Sequence, residues 1–476
     1  MNFIDWALGK FGYAKLNKDA VSAGVVEKEF GVPPAASRKM EDNIALWYAM
    51  YINHPPWETC DVRPLGLSGA IGRELSRHAL TEFAVTVSGS ERADFINQQV
   101  QIAATKFGNN LEMGLCLGGV ALRPYPEYGK NRILVRAYTT GFTPTRFDGT
   151  GKCIGGVFKS LPVRQGKDWY VKLEYHDFLA QDDGSAVYVV ENKAFRSNQN
   201  GGLGTGVSLE SVNEWAGLSE RVEIAGLDGP LFAYFKPPMA NQEEPDSPLG
   251  ISVYSGPVAD RIREADEQWA RIWWEFKSGE RKIFSDATRI DAGQIEDRLF
   301  LKGAFTGAGN LFEQFSPEFR NSALYEGLQY IFKIIEFNVG LAFGTISDPQ
   351  SVVEKTATAE IIGKHEQYIT EGDIQKAFQA TLDDLIYAMN ALCDLYPELA
   401  PKGTYTVDYS WGDGVLDDPE TRRQDMAMDI QRVNNRLMSR DQFIMKWDRV
   451  DEDKAKEILA AIDGSGEDDE GQEEIE

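Results

Sequence analysis

Residues 317–396 set the frame for the rest of this chain: a long amphipathic helix, a break, and a second long helix. Leu324, Leu328, Ile331, Ile335, Val339 and Ala342 recur at steps of three and four, which puts them on one helical face. The pattern stops at Gly344, and Asp348-Pro349 in the following segment is a turn signal. It resumes at Lys355 in the string KTATAE and carries on through Ile361, Ile362, Phe378, Leu382, Leu385, Ile386, Met389 and Leu392, with Pro397 as its stop. Gly363 and Gly372 are weak points within it. Taken alone, the pattern describes two packed helices joined by a loop.

At 476 residues the chain is long enough for about two to four domains and a sizeable core. No window approaches the run of about 20 apolar residues that a membrane span needs, and residues 1–16 mix charges and glycines in a way that makes a poor signal peptide. Cys60, Cys116, Cys153 and Cys393 are far apart and form no CxxC pair, so neither a zinc site nor a disulfide framework is expected, and synthesis in a reducing cytosol is. The four histidines, His54, His78, His176 and His365, lack metal-ligand spacing. A net charge of -25 argues against a protein that grips nucleic acid through a broad basic patch.

In chain order, residues 39–57 read as a helix through Ile44, Trp47, Tyr48 and Tyr51, closed by His54-Pro55-Pro56-Trp57. A second helix spans 66–83, a strand 84–88, and a third helix 93–107. Strands follow at 120–124, 133–138, 153–160, 169–176 and 186–191, which together describe an α+β domain with a sheet of sequential antiparallel strands. Gly201, Gly202, Gly204 and Gly206 suggest a mobile loop, since no GxxxxGK[ST] string occurs. No GxSxG string occurs either, and no nucleophile, base and orienter assemble from local motifs. Proline punctuation near residues 230–250 marks a boundary.

Val258, Ile262, Ala265, Trp269, Ile272, Trp273 and Phe276 then repeat at three and four over residues 257–276, with Arg261, Arg263, Asp266, Glu267 and Arg271 expected on the other faces. Those charges suit an ordinary core helix or pairing between neighbouring copies. A polar, glycine-rich insert over 278–316, with short strands near 281–284 and 297–301, separates this helix from the one that begins at Pro317. Beyond Pro401, a strand at 405–411 and helices from Pro419, Ser439 and Asp451 make a small helical domain, and residues 464–476 are an acidic, disordered tail.

This order of parts resembles the portal proteins of tailed bacteriophages, particularly siphophages of Gram-positive bacteria and their prophages. The strings that carry the resemblance are NHPPW ending at Trp57, NNLEMGLCLGGVALRPY from Asn109, YFKPPMAN from Tyr234, PLGISVY from Pro248, FSPEFRN from Phe315, and GLAFGTISD followed by EKTATAE. They span residues 41–445, nearly the whole chain, and it is their joint order that is specific. The last string departs from the family in carrying Ala359 ahead of Glu360.

The resemblance implies a portal fold. Residues 1–38 are an N-terminal segment, 39–256 an α+β wing, 257–277 and 317–343 the two stem helices, and 278–316 a small α/β clip. Residues 344–354 are the tunnel loop, 355–400 the long wing helix, and 401–463 an α-helical crown. It implies a dodecameric ring at one capsid vertex, assembled in the host cytoplasm and carried in the virion. Its partners are double-stranded DNA passing non-specifically, the terminase large subunit, head completion and adaptor proteins, the tail, the scaffold and the major capsid protein, with no membrane and no cofactor or metal.

The channel-facing residues by the same resemblance are Thr345, Ile346, Ser347, Asp348, Gln350, Ser351, Val352, Val353, Glu354 and Lys355. The clip residues for terminase and adaptors are Arg281, Lys282, Arg289, Arg298 and Lys302. No catalytic residue is implied. A different capsid-associated ring or head-tail connector is the alternative of the same kind, and a hydrolase using carboxylates buried in the α+β domain is the alternative of a different one. Connectors of that kind are usually much smaller, and a hydrolase requires a pocket with a convergent nucleophile and base.

Overall fold

The computed structural model describes residues 21–127, 129–180, 186–278, 282–286, 300–303, 312–315, 320–348, 365–411, 419–448 and 452–465. The fold mixes α and β and divides into two compact units, residues 1–352 with 363–412, and residues 353–362 with 413–476.

The larger unit begins with helices α1 (Ala23–Phe30) and α2 (Arg38–Tyr51). Ser37 starts α2 by accepting the Met40 N–H at 3.2 Å, and the helix ends ahead of His54-Pro55, where proline disfavours a helical predecessor. Next come α3 (Leu67–Ala79), β1 (Ala84–Ser88), α4 (Glu91–Ala104) and α5 (Phe107–Leu117). The sequence reading passes over α5. Its buried residues Phe107, Asn110, Leu111, Leu115 and Cys116 blur the one-sided pattern, and Gly108 and Gly114 weaken its propensity. Gly114 is nevertheless required, because a Cβ there would lie 2.7 Å from the Phe235 ring and 2.8 Å from Val120 Cγ1.

Strands then dominate: β2 (Val120–Pro126), β3 (Ile133–Tyr138), β4 (Phe142–Phe147), β5 (Cys153–Lys159), β6 (Val163–Gln165), β7 (Asp168–Ala180), β8 (Ala186–Ser197), β9 (Thr205–Val207), β10 (Arg221–Ala225) and β11 (Ala233–Phe235). The main sheet runs β10-β8-β7-β5-β4, with β6 on β7 and β9 on β8, and every pairing in it is antiparallel. The glycine run at 201–206 leads into β9 rather than forming a loop throughout. Gly204 sits where a Cβ would meet the Arg196 carbonyl at 2.2 Å, so the backbone can lie against β8 only without a side chain.

A second antiparallel sheet, β11-β2-β3, belongs to the main hydrophobic core. That core also takes in α8 (His365–Leu395), whose 31 residues bury Phe378, Leu382, Leu385, Ile386, Met389 and Leu392, the positions the sequence pattern selects. Phe378 meets the Phe107 and Phe235 rings edge-on at 5.5 and 5.9 Å. Ile361 and Ile362 lie outside the described residues.

Ahead of α8 in the chain, α6 (Pro257–Ser278) and α7 (Asn321–Val339) pack on each other. Between them in sequence are β12 (Lys282–Asp286), β13 (Phe300–Gly303) and β14 (Phe312–Phe315), which form a sheet β13-β12-β14, parallel on one side and antiparallel on the other. After α8, β15 (Thr406–Ser410) pairs antiparallel with β1, from Ala84↔Ser410 to Ser88↔Thr406. The sequence reading groups this strand with the C-terminal helices, but its partner strand puts it in the larger unit.

The smaller unit holds α9 (Pro419–Asn434), α10 (Arg440–Asp448) and α11 (Glu452–Ser465). Ser439 and Gln442 form a reciprocal cap: Ser439 Oγ accepts the Gln442 N–H at 3.4 Å and Gln442 Oε1 accepts the Ser439 N–H at 3.2 Å. Asp429 of α9 accepts from Lys446 of α10 at 2.5 Å, and that contact holds its carboxyl below the usual carboxylate range.

Candidate functional site

Within the apolar run of α7 stands one acid, Glu336, and it is fully buried. The helix is capped four residues later by Gly340, whose φ of 74° is left-handed and whose N–H returns to the Glu336 carbonyl. A Cβ at Gly340 would lie 2.2 Å from Thr370 Oγ1, so α8 also presses on this turn. The chain then wraps the Glu336 carboxylate. Oε1 accepts the N–H groups of Gly344 (3.2 Å), Ile346 (2.5 Å) and Ser347 (2.8 Å), and Oε2 accepts the Ser347 hydroxyl at 2.8 Å. Bonds from N–H to a carboxylate are stronger than neutral ones, so one buried side chain organises the whole reversal.

Further bonds tie the same segment to both helices. The Ala342 N–H donates to Gln367 Oε1 at 3.0 Å on α8, and the Asp348 N–H donates to Gln329 Oε1 at 2.7 Å on α7. Tyr325 donates its hydroxyl to Asp348 at 2.7 Å. Of the residues expected to face a channel, Thr345 and Asp348 are exposed, Ile346 is half-buried, and Ser347 is buried. Ser347 therefore anchors the segment here and offers no free hydroxyl for DNA. Gln350, Ser351, Val352, Val353, Glu354 and Lys355 lie outside the described residues, as do Arg281, Arg289 and Arg298. Lys282 and Lys302 are strand residues, on β12 and β13, with Lys302 opposite Ser285.

The α6–α7 pair is held by Gln268, whose Nε2 donates to the Leu324 carbonyl at 2.8 Å, and by Arg320, which grips Glu275 through Nε (3.2 Å) and a terminal nitrogen (2.9 Å). Asp266 does not face outward as the sequence pattern expects. It is buried, accepting the Trp57 indole N–H and the Leu65 N–H, both at 2.8 Å, and so fastens α6 to the segment that follows α2. Burial, helped by nearby Glu267, pushes its carboxyl up to about 6.

The expected apolar stripe of α6 is only partly covered. Val258, Ile262, Ala265 and Ile272 are buried, whereas Trp269 and Trp273 are 40% and 54% exposed. Beside them, residues 60–63 and Trp274 complete an open cleft of about 630 Å³.

In the main sheet, Glu174 and His176 of β7 and Tyr188 of β8 form a buried polar chain with Arg123 of β2 and Lys172. His176 Nε2 lies 2.7 Å from Glu174 and Nδ1 lies 2.7 Å from the Tyr188 hydroxyl, which in turn accepts the Leu231 N–H at 3.1 Å. Burial lowers the His176 pKa, and a neutral ring protonated on Nε2 satisfies every partner. Burial opposes the charge on Glu174, but Arg123, His176 and Lys172 together outweigh it and hold the carboxyl well below the usual range. A fully paired, solvent-excluded carboxylate of this kind is an internal brace rather than a general base.

The sequence matches no known protein family and no curated protein. Among the described residues no helix is long and apolar enough to cross a membrane, and no group of three or more His, Cys, Asp or Glu converges on a metal position. Glu336, Asp266 and the Glu174–His176–Tyr188 chain all escape the sequence reading. For two of these the signals were present: Glu336 stands among Ile334, Ile335 and Phe337, and Glu174 and His176 are two apart on a strand, hence on one face; Asp266, between Glu264 and Glu267, carries no such mark.

Proposed function

We propose that this chain is the portal protein of a tailed bacteriophage: a dodecameric ring at one capsid vertex through which double-stranded DNA is packaged, retained and ejected. The observation that carries the reading is the run of elements from α6 to α8: a helix, a small three-stranded sheet, a returning helix, a reversal pinned on Glu336, and a 31-residue helix. In this reading α6 and α7 are the stem and β12–β14 belong to the clip that meets the terminase large subunit and later the head completion and adaptor proteins. The segment that starts at the Glu336 reversal is the base of a loop turned toward the channel, and the larger unit's α+β part is the wing.

The chain is not an enzyme in this account; the packaging ATPase belongs to a partner. Scaffold, major capsid protein and tail are its other neighbours, and its place is the virion after assembly in the host cytoplasm. The charge of -25 suits a conduit, since phosphates neutralised by many Lys and Arg would be held rather than passed.

Native mass spectrometry with negative-stain class averages tests the reading. Rings of about twelve subunits with a central hole are expected. A protein that stays monomeric or dimeric at high concentration would remove the basis for it.

A further inference from the structure

We infer that the cavity enclosed by α1, α2, the end of α5 and the start of β4 binds a small organic cation, an ammonium group carried on an apolar body. This stands apart from the ring reading and does not rest on it.

The cavity holds about 390 Å³, inside the range of small-molecule sites. Val25 of α1, Ile44 and Ala45 of α2, Phe142 of β4 and Leu203 give it apolar walls. Thr143 of β4 donates its hydroxyl to the Val21 carbonyl at 3.0 Å, which ties the approach to α1 onto the sheet and fixes these two walls relative to each other. Glycines keep the interior free. A Cβ on Gly118 would stand 2.8 Å from the Gly250 carbonyl, and one on Gly119 would collide with the Tyr234 hydroxyl. All four of these residues line the cavity, so part of its surface is bare backbone.

The charged groups around it all have one sign. Glu41 sits in the first turn of α2 and gives one oxygen to the Ala23 N–H at 2.5 Å; Asp42 beside it is exposed and has no partner among the described residues. Leu117 and Gly118 add the C-terminal end of α5, where the helix dipole is negative and the last turn holds no basic residue to offset it. Among the described residues that line the cavity there is no Lys, Arg or His. A bare metal ion would satisfy the acids and leave the apolar walls in water, and a neutral molecule would do the reverse. An organic ammonium ion meets both.

Tyr234 points to a ligand independently of the acids. Its ring is set against Phe142 and Phe147, with centroids 5.5 and 6.2 Å apart, and burial pushes its hydroxyl pKa up. That hydroxyl has no hydrogen-bond partner among the described residues. Polar groups withdrawn from water are nearly always paired, and a molecule in the cavity supplies the partner: the hydroxyl accepts an N–H or donates to a second polar group on the ligand.

The test titrates n-hexylammonium chloride, hexan-1-ol and sodium hexanoate into the full chain at constant ionic strength, with calorimetry and melting temperature as readouts. Hexylammonium is expected to saturate one site per chain, to raise the melting temperature, and to bind roughly tenfold more tightly than the alcohol, while hexanoate gives no saturable signal. Asp42→Asn, at an exposed position, should remove most of the preference for the amine and leave the alcohol unchanged. Ala45→Trp, which fills the cavity, should abolish binding of both; should that variant fail to fold, Asp42→Asn decides alone. A response that never saturates, or that is the same in Asp42→Asn as in the parent, is general attraction of cations to an acidic chain and overturns the site. Equal binding of amine and alcohol overturns the cation.

Discussion

Glu336 concentrates in one side chain what a loop of this kind usually spreads over many. Removing it in Glu336→Ala strands the Ile346 and Ser347 N–H groups and the Ser347 hydroxyl proton, while the Gly344 N–H keeps Ser347 Oγ as an acceptor, for an expected loss of roughly 3 kcal/mol. Amide exchange at Ile346 and Ser347 should accelerate in that variant while α8 amides near Phe378 keep their protection; equal loss in both would mean that the carboxylate supports the core and not the reversal. Asp266 makes a prediction of the opposite electrostatic kind. With its folded pKa raised from 3.8 to about 6, the native state holds a proton that the unfolded chain has already released between those values. The contribution of this group is therefore full below about pH 4, declines as pH rises, and is lost above about pH 6, roughly 3 kcal/mol in all. Urea denaturation across that window should show the decline in the parent protein and its absence in Asp266→Asn; an unchanged slope in the variant would assign the pH dependence elsewhere.

At the scale of elements, what could be read in advance was whatever repeats. The α8 positions from Phe378 to Leu392 follow from periodicity alone because every one of them meets the same core. The α6 stripe follows too, but its fate does not: periodicity says that Trp269 and Trp273 share a side with Ile262, and only the fold says where the body of the unit stops covering that side. Helix α5 was illegible for the converse reason, being buried around much of its circumference, which erases the polar face that marks a helix in sequence. The reversal after α7 was legible as a break but not as a knot, since nothing local in the sequence links Glu336 to Ser347. Its tightness is testable at Gly340. Gly340→Ala combines a left-handed φ with a Cβ 2.2 Å from Thr370 Oγ1, and should cost about 1–3 kcal/mol, read as a lowered melting temperature. Thr370→Ala should return part of the loss in the double variant; if it returns none, the cost is all backbone.

Over the whole molecule, charge and aromatic exposure divide the surface between two tasks. The net charge of -25 disfavours phosphate, and exposed rings on α6 and α7 supply apolar surface. The purified protein should accordingly bind double-stranded DNA no more tightly than roughly the micromolar range at physiological salt, measured by filter retention or fluorescence anisotropy. Tight binding with a steep salt slope would point to a nucleic-acid-gripping protein and away from a conduit.

The pairing of β1 with β15 carries a consequence for how the chain is made. Ser88 and Thr406 stand side by side although 318 positions separate them. On a ribosome moving at about 5–20 residues per second, β1 waits roughly 15 to 60 s for β15, its one strand partner among the described residues, to emerge. For that interval its backbone donors and acceptors are an open edge on which another nascent chain can pair. Translation of this protein is thus a race between completing one polypeptide and joining two, and any stall before residue 406 favours the wrong finish.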